Sequence, residues 1–342
     1  MLSWDWMTAW WSVYGVPDSG LSLAVWVLDE GGELRAVLPM YRAEEEGRCV
    51  VRLISTGEPE EDAVCADYLG PLIAGDHEDV IRKLVSDLVE LVQTDRCEVR
   101  LTDLTAGESF SERIYKELKS SGLAVRRSAG PVCPYLQLPE SYDAFLASLS
   151  SNFRAQIRQS EREWKKAGGA VIRWTEKEGD LDPFWRDLVS LHQKRWTGLG
   201  RSGVFSSPRF SAFHRKVLRS FFDRGWLVGG VLESQSRPVA AVYGFRCGKT
   251  VYFYQSGTDP EIPAKLRAGV LLHANLIRRA IETGEREYDF LRGDDPYKRR
   301  FTEKNRSLFY IEAGVQSARL RLRFWRKSAR QRLRQIQRRF RK

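Results

Sequence analysis

The chain has 342 residues, of which 42% are hydrophobic and 11% aromatic, and its mean hydropathy is −0.42. Its formal net charge is +10, but residues 317–342 hold ten Arg and two Lys and no acid, so the rest of the chain carries −2. No apolar run approaches the roughly 20 residues that cross a bilayer, and no secretion signal is visible. These features argue against a membrane-spanning, exported or disordered chain and predict a cytoplasmic globular protein of about two domains.

The cysteine and histidine patterns predict neither disulfides nor a metal site. The five cysteines are odd in number, widely spread and never form a CxxC pair, which is typical of reduced thiols in the cytosol. The four histidines are too scattered to supply metal ligands, and two of them are expected to pack on amphipathic helices or lie at the surface. The histidines are His77, His192, His214 and His273, the last two being those expected on the helices.

The first half of the chain mixes helical and strand-like patterns. Apolar residues at helical spacing predict a helix over 4–14, and Gly31-Gly32 predicts a hairpin turn. The other predicted elements are strands at 21–28, 33–41, 49–55 and 98–104, helices at 78–93 and about 108–120, and strands within 123–138. Together these elements predict a first α/β domain over 1–138.

A second α/β domain is predicted over 139–316. Ser141 can cap a helix, and the next helix, 152–167, carries a basic row that is either a solvated face or a contact surface for an anion. That row is Arg154, Arg158, Arg162 and Lys165. The elements that follow are a strand at 170–174, helices at 182–196 and 208–223, strands at 226–233, 239–246 and 250–257, a helix at 267–283, and strands at 288–291 and 307–314.

The stretch from Thr250 to Phe301 carries the clearest signal of function. A strand leads into a loop with Arg267 and Gly269 and then into a helix, whose first backbone N–H groups and dipole favour an anion. This arrangement predicts a phosphate site at the helix start. The strand after the helix ends in polar side chains, where ligands of α/β sheets collect. These are Arg292, Asp294, Asp295, Tyr297 and Lys298.

The order of elements in the second domain is that of the GNAT acyltransferase fold, in which the fourth and fifth strands separate and acyl-CoA lies between them. The sequence also contains the segments Leu191-His192-x-x-Arg195-Trp196, Pro238-x-Ala240-Ala241, Arg267 to Leu272, and Tyr288 to Asp294 with Tyr297-Lys298. In these segments it resembles bacterial GNAT-superfamily acyltransferases of the CelD (cellulose-biosynthesis) type and their FemAB relatives, which contain two GNAT-like domains in tandem. The predicted fold is therefore α/β with a mixed sheet and tandem GNAT-like domains.

The resemblance and these positions imply roles for particular residues. Asp289 and His192 are alternative bases, and Tyr254 is the candidate acid for the leaving thiolate. No metal is expected. The donor-binding candidates are Gln255 and Ser256 for the pantetheine arm, with Arg267, Ala268, Gly269 and Val270 for the pyrophosphate. The acceptor-binding candidates are Arg195, Trp196, Arg292, Asp294, Tyr297 and Lys298.

The residue patterns leave the catalytic assignments open. Asp289 lies mid-strand, where a carboxylate either faces a cleft or is buried and hydrogen-bonded. His192 shares a helix face with Trp196 and can equally be a packing residue, as can Tyr254 on its strand. The sequence does not choose between these roles.

The predicted function is transfer of an acyl group from acyl-CoA to an amine or hydroxyl acceptor, such as a cell-envelope saccharide or lipid precursor. Two alternatives remain. The first is a Fem-like transferase that uses aminoacyl-tRNA as donor. The second is a non-catalytic GNAT-like binding protein that is tethered by its basic terminal segment.

Residues 317–342 form the third predicted part, a basic amphipathic helix. Apolar residues recur at three- and four-residue spacings, and twelve basic residues cover the other faces. Such a helix suits an anionic membrane surface best, which predicts a location peripheral to the inner face of the membrane. Nucleic acid, including tRNA, or a protein partner are the alternatives. The apolar residues are Leu322, Trp325, Ala329, Leu333, Ile336 and Phe340.

Overall fold

The computed structural model describes residues 3–75, 78–107 and 109–340, without the side chains of 109, 110 and 334–340. His77 therefore lies outside the described residues, and the side chains of Ile336 and Phe340 are likewise not described. The chain forms two compact units. The first comprises Met1–Gly57, Val64–Pro131 and Ser307–Lys342, and the second comprises Glu58–Ala63 and Val132–Arg306.

The described helices and strands follow the predicted order closely. The helices are α1 (Trp4–Tyr14), α2 (Glu78–Thr94), α3 (Ser109–Ser120), α4 (Tyr142–Ser148), α5 (Ser151–Lys166), α6 (Leu181–Gly198), α7 (Pro208–Asp223), α8 (Ala268–Glu282) and α9 (Ala318–Phe340). The strands are β1 (Ser22–Leu23), β2 (Trp26–Glu30), β3 (Glu33–Leu38), β4 (Met40–Glu44), β5 (Cys49–Leu53), β6 (Leu72–Ile73), β7 (Glu98–Thr105), β8 (Ala124–Gln137), β9 (Val171–Trp174), β10 (Leu227–Ser234), β11 (Arg237–Cys247), β12 (Thr250–Thr258), β13 (Glu287–Asp289) and β14 (Asn305–Gly314).

The predicted mixed α/β fold is confirmed. In the first unit the strands lie in the order β1-β4-β5-β7-β14-β8, and β2, β3 and β6 form a separate small sheet. In the second unit the order is β8-β13-β12-β11-β10-β9. The pairs β5–β7 and β12–β13 are parallel, and the hairpin at Gly31-Gly32 joins β2 and β3 as predicted.

Two differences from the predicted elements have simple causes. The strand predicted at 33–41 is divided into β3 and β4 around Pro39, which has no N–H to donate to a ladder. The strand predicted at 307–314 was expected in the second domain, but most of β14 lies in the first unit because it pairs with β7, for example Leu308 with Thr105.

The core of the second unit lies between the sheet and α4, α5 and α8. Ser141 caps α4, as its Oγ accepts from the backbone N–H of Ala144 at 3.1 Å. Helix α5 buries Phe153, Ile157 and Trp164 in this core, whereas three members of its basic row, Arg158, Arg162 and Lys165, are exposed. Helices α6 and α7 cover the opposite face of the sheet. On β12, for example, Phe253 packs against α8, whereas the next residue, Tyr254, contacts His214 of α7.

No helix in the described part of the chain is long and apolar enough to span a membrane. The prediction of five reduced thiols is wrong in one respect, because Cys49 and Cys97 form a disulfide. The parallel register of β5 and β7 pairs Val50 with Glu98, so the cysteines that precede these residues face each other directly. The disulfide removes the cysteine argument for a reducing compartment.

We predict that the denatured, unreduced protein has three reactive thiols, those of Cys65, Cys133 and Cys247. A thiol-reactive dye followed by intact mass measurement should count them, and full reduction should raise the count to all five cysteines. In a Cys49→Ser control, every remaining cysteine should react, because Cys97 loses its partner. Five reactive thiols without reduction would contradict the pairing.

Candidate functional site

Strands β12 and β13 separate after the first three residues of β12. Three residue pairs join them in parallel register, ending at Tyr252 with Asp289. Strand β13 ends there, but β12 continues to Thr258 and keeps its other neighbour, β11. One edge of residues 253–258 therefore loses its strand partner. This is the separation of the fourth and fifth strands that the GNAT-like order of elements implies.

Two buried charged side chains explain why the chain leaves the sheet after Asp289. The Asp289 Oδ1 atom accepts from the backbone N–H of Leu291 at 2.7 Å, and Oδ2 forms an ion pair with Arg306 at 3.1 Å. The Lys298 ammonium donates to the carbonyl oxygens of Phe290, Leu291 and Arg292 at 2.9, 3.3 and 2.7 Å. These two side chains thereby satisfy backbone groups of residues 290–292, where the chain leaves the sheet.

These contacts bear on two predicted site residues. Asp289 has the contacts of the structural alternative, a buried and hydrogen-bonded carboxylate, and its role as the base stays a prediction. Lys298 was expected to hold an anionic acceptor. It is buried with its ammonium directed at three carbonyl oxygens and lies 3.9 Å from an Asp295 carboxylate oxygen, and its role as an acceptor contact stays a prediction.

The start of α8 lies at the end of β12. A Cβ built on Gly269 would be 3.4 Å from the Thr258 side chain, an ordinary contact distance. Arg267 precedes the helix in a left-handed conformation, with φ of 43°, and no described side chain caps the helix. The Leu271 N–H donates to the Arg267 carbonyl, which leaves the N–H groups of residues 268–270 without an intrahelical acceptor.

Helix α5 fixes the loop before α8. The carbonyl oxygen of Leu266 accepts from Ser160 Oγ at 2.5 Å and from the Trp164 indole N–H at 2.9 Å. Both donors belong to the buried face of α5. The loop that carries Arg267 is therefore held in place by the core.

Two arginines lie close together near this helix start. Arg300 stacks on Phe153, 4.1 Å from the ring centre, and hydrogen-bonds Gln156. Burial lowers the pKa of Arg300 below its ordinary value, and the positive charge of Arg267 contributes to this. Within the described residues neither arginine has a carboxylate partner. An anion bound here would offset their positive charges.

Helix α6 packs directly on the half of β12 that β13 leaves unpaired. A Cβ on Gly257 would lie 2.3 Å from the backbone nitrogen of His192, so only glycine permits this approach. The contact brings the His192 segment of α6 against β12 at the separation of the strands. The aromatic rings of Trp196 and Phe205 pack against the imidazole, at 5.8 and 4.8 Å between centres.

The hydrogen bonds around His192 define its tautomer. Gln193 Nε2 donates to the carbonyl oxygen of Ser202 at 2.7 Å, which orients the amide so that its Oε1 faces His192 Nδ1 at 3.1 Å. Because Oε1 can only accept, Nδ1 carries the proton and Nε2 keeps its lone pair. Burial lowers the pKa of His192 to about 4, outweighing the Gln193 hydrogen bond, so the ring is neutral at pH 7.

Tyr254 lies on the face of β12 that α7 covers. Its hydroxyl is 2.9 Å from His214 Nε2, and His214 Nδ1 is 3.4 Å from the Tyr243 hydroxyl. Burial lowers the pKa of His214 well below its ordinary value and raises that of Tyr243. His214 and Tyr243 are therefore uncharged at neutral pH, and the role of Tyr254 as an acid stays a prediction.

The remaining acceptor candidates lie around the C-terminal end of α6 and the loop after β13. Burial raises the pKa of Tyr297, with the charge of Asp295 adding to this increase and that of Arg195 opposing it. Asp294 is occupied by a bidentate ion pair with Arg299. Trp196 and Arg292 are half-buried, as are Gln255 and Ser256 of the donor candidates.

Sequence reasoning missed three residues that shape this site. Gln193 follows the predicted His192 directly and could have been found from its hydrogen-bonding side chain. Arg300 lies within a basic run and has no distinguishing pattern. Gly257 has an ordinary strand conformation, so only its contact with α6 reveals its role. Among residues 3–75, 78–107 and 109–340, no cluster of His, Cys, Asp and Glu could hold a metal.

Residues 151–299 match the sequence model of the GNAT acetyltransferase domain family, and no curated protein matches the chain. Among solved structures the chain is similar to FemX, with 10% identity, 92% of each chain covered and a TM-score of 0.59. It is also similar to L-PGS from Bacillus licheniformis, with 13% identity, 94% of this chain and 95% of that chain covered, and a TM-score of 0.56.

A third similar structure is the C-terminal domain of a putative lysylphosphatidylglycerol synthetase from Agrobacterium fabrum. Its identity is 12%, with 90% of this chain and 91% of that chain covered, and a TM-score of 0.55. Identities this low show a shared fold. The similarity of residues 151–299 to GNAT acetyltransferase domains is thus confirmed, and the FemX comparison adds a shared fold, whereas the CelD type stays a prediction.

We predict that Gly257→Ala destabilises the protein by about 1–3 kcal/mol, because the new methyl group overlaps the backbone of α6. Urea unfolding should measure the loss. Gly269→Ala is the matched control, since its methyl group meets only ordinary contacts and alanine favours a helix. Equal stability of the two variants would show that α6 does not require Gly257.

We predict that His192 stays neutral, with its proton on Nδ1, as the pH falls from 8 to about 5, because its pKa is about 4. Nitrogen-15 NMR of labelled histidine reports both properties, and His192→Gln assigns the signal. Gln193→Leu should allow the other tautomer, and Gln193→Glu should raise the pKa of the ring. A charged ring at pH 6, or a proton on Nε2, would contradict the hydrogen-bond assignment.

Proposed function

We propose that the protein is an acyltransferase that moves an acyl group from acyl-CoA to an amine or hydroxyl acceptor of the cell envelope, a saccharide or lipid precursor. The GNAT acetyltransferase domain supports a transferase. The observation that carries the choice of donor is the uncapped start of α8 with Arg267 and Arg300 beside the separated strands.

The start of α8 fits a pyrophosphate in three ways. The N–H groups of Ala268, Gly269 and Val270 lack intrahelical acceptors, and the helix dipole is positive at this end. Arg267 and Arg300 add two charges without carboxylate partners among the described residues. Since α5 holds the loop in place, little ordering is needed when the anion binds.

The unpaired edge of β12 is suited to the pantetheine arm of acyl-CoA. Residues 253–258 have no β13 partner, and Gln255 and Ser256 are half-buried. Backbone groups at such an edge can bond an extended amide-containing chain as a strand would. The arm would then run from the start of α8 toward the paired half of the two strands.

The chemistry needs a proton acceptor and a proton donor. The acceptor amine or hydroxyl attacks the thioester carbonyl carbon and loses its proton, and the carbon–sulfur bond then breaks with protonation of the thiolate. A neutral imidazole with its lone pair on Nε2 suits the first step, so we assign His192 as the base and Gln193 as the residue that positions it. Tyr254 is the proposed acid.

Asp289 is the competing base. Its two oxygens already accept from Leu291 and Arg306, whereas Nε2 of His192 has no recorded hydrogen bond among the described residues. This difference favours His192. Arg195 and Tyr297, near the C-terminal end of α6, remain the proposed acceptor contacts.

The competing donor is aminoacyl-tRNA, which the resemblance to FemAB proteins implies. The two donors require different binding surfaces on the protein. A tRNA body would need many phosphate contacts and therefore a steep dependence of binding on salt. The proposed site instead offers one anion pocket next to a strand edge, which fits a single pyrophosphate and its arm.

We predict that the protein binds acetyl-CoA or a longer acyl-CoA and that Arg267→Glu weakens this binding by about tenfold or more. Isothermal calorimetry measures both affinities. Lys216→Glu is the matched control, because it makes the same charge change at an exposed position of α7. Arg300→Gln should weaken binding as well.

Three results would overturn the donor assignment. They are no binding of any acyl-CoA, equal weakening by Lys216→Glu and Arg267→Glu, or tRNA that co-purifies and binds with a steep salt dependence. The last result would favour the Fem-like alternative, and the first would favour a non-catalytic binding protein.

A further inference from the structure

Helix α9 attaches to the first unit through its polar face. Arg323 forms an ion pair with Glu98 at 2.6 Å, and Lys327 forms one with Glu312. Gln331 Nε2 donates to the carbonyl oxygen of Ala129 at 3.1 Å, and Leu320 is buried beside these contacts. The side that faces the protein is therefore mainly charged.

Glu312, one of the acids that pair with α9, is kept ionised by neighbouring cations. Burial raises the pKa of Glu312, but Lys327 and Arg126 outweigh this effect and keep the pKa below its ordinary value. Arg126 also donates to Gln331 Oε1 at 3.1 Å. Glu312 thus stays ionised at neutral pH and fixes the rotation of the helix about its own axis.

This rotation turns the apolar stripe of α9 away from the protein. Leu322, Trp325 and Leu333 are exposed by 47%, 67% and 58% of their surface. Their spacing places them on one face together with Ala329, opposite to Arg323 and Lys327. The usual arrangement of an amphipathic helix, with its apolar face on the protein, is inverted here.

Exposed arginines line both sides of the apolar stripe. On one side lie Arg321 and Arg332, and on the other Arg319 and Arg326. None of these four has an ion-pair partner within the described part of the chain. A large exposed apolar surface with a cationic border is the pattern of a helix that lies in the interface of an anionic bilayer.

We propose that this face of α9 binds the surface of a membrane that contains anionic lipids. Trp325 and the two leucines would enter the boundary between headgroups and acyl chains, and the arginine rows would contact the headgroup phosphates. The polar face would remain bound to Glu98 and Glu312. The helix would therefore lie parallel to the bilayer without leaving the protein.

Two other occupants fit this face less well. A second copy of the chain would place two arginine-bordered faces against each other, and the like charges would repel. A nucleic acid would pair with the arginines, but it would leave the exposed leucines in water. The proposal does not depend on the acyltransferase assignment, since none of these residues belongs to the candidate site.

The test is co-sedimentation of the full chain with vesicles of phosphatidylcholine, with and without an equal share of phosphatidylglycerol. We expect binding to the anionic vesicles that falls at high salt and little binding to the neutral ones. Trp325→Ser should weaken the binding by roughly tenfold. Trp4→Ser is the matched control, because Trp4 is equally solvent-exposed, by 77%, on α1.

Two further variants separate the apolar from the ionic contribution. Trp325→Phe should retain most of the binding, and Arg321→Glu with Arg332→Glu should weaken it and reduce its salt dependence. The proposal is overturned if Trp325→Ser binds like the unchanged protein, if neutral vesicles bind equally well, or if light scattering shows that Trp325→Ser dissociates a dimer. Calorimetry with acyl-CoA should give the same affinity for Trp325→Ser as for the unchanged protein.

Discussion

The exit of the chain from the sheet after Asp289 is the constraint on which the second unit depends. A parallel strand that stops early leaves backbone groups that must find other partners, at a cost of about 1–3 kcal/mol for each one left buried and unpaired. Lys298 supplies three donors for carbonyl oxygens, and Asp289 accepts the next N–H group. These two side chains therefore satisfy the backbone of residues 290–292 after β13 ends, and β12 keeps β11 on its other edge.

The charged residues of this region fall into two groups that differ in their contacts. Asp289 and Lys298 are buried and bond the backbone of residues 290–292, and Asp289 also pairs with the half-buried Arg306. Arg267 and Arg300 instead have no carboxylate partner within the described residues, and the charge of Arg267 contributes to the lowered pKa of Arg300. This contrast supports the proposal that an anion binds beside them, since both groups look alike in the sequence.

Helix α9 shows a related division of charge in the first unit. Its basic residues fall into a set that pairs with Glu98 and Glu312 and a set that borders an exposed apolar stripe. The helical spacing alone permits either face of α9 to contact the protein, because an apolar face can be buried and a basic face can pair with acids. The ion pairs of Glu98 on β7 and Glu312 on β14 with Arg323 and Lys327 place the basic face against the protein.

The sequence by itself determined the elements and their order, because hydrophobic period, Ser141 as a cap and the Gly31-Gly32 turn act locally. That order was enough to predict the strand separation and the anion site at α8. Only the tertiary structure decided what each polar group does. The roles of Lys298, Gly257 and Arg323 depend on partners that other elements bring to them, such as Glu98, which is 225 residues from Arg323. Burial and pairing across such distances leave no local pattern, so the disulfide, the His192 tautomer and the outward face of α9 appear only in the folded chain.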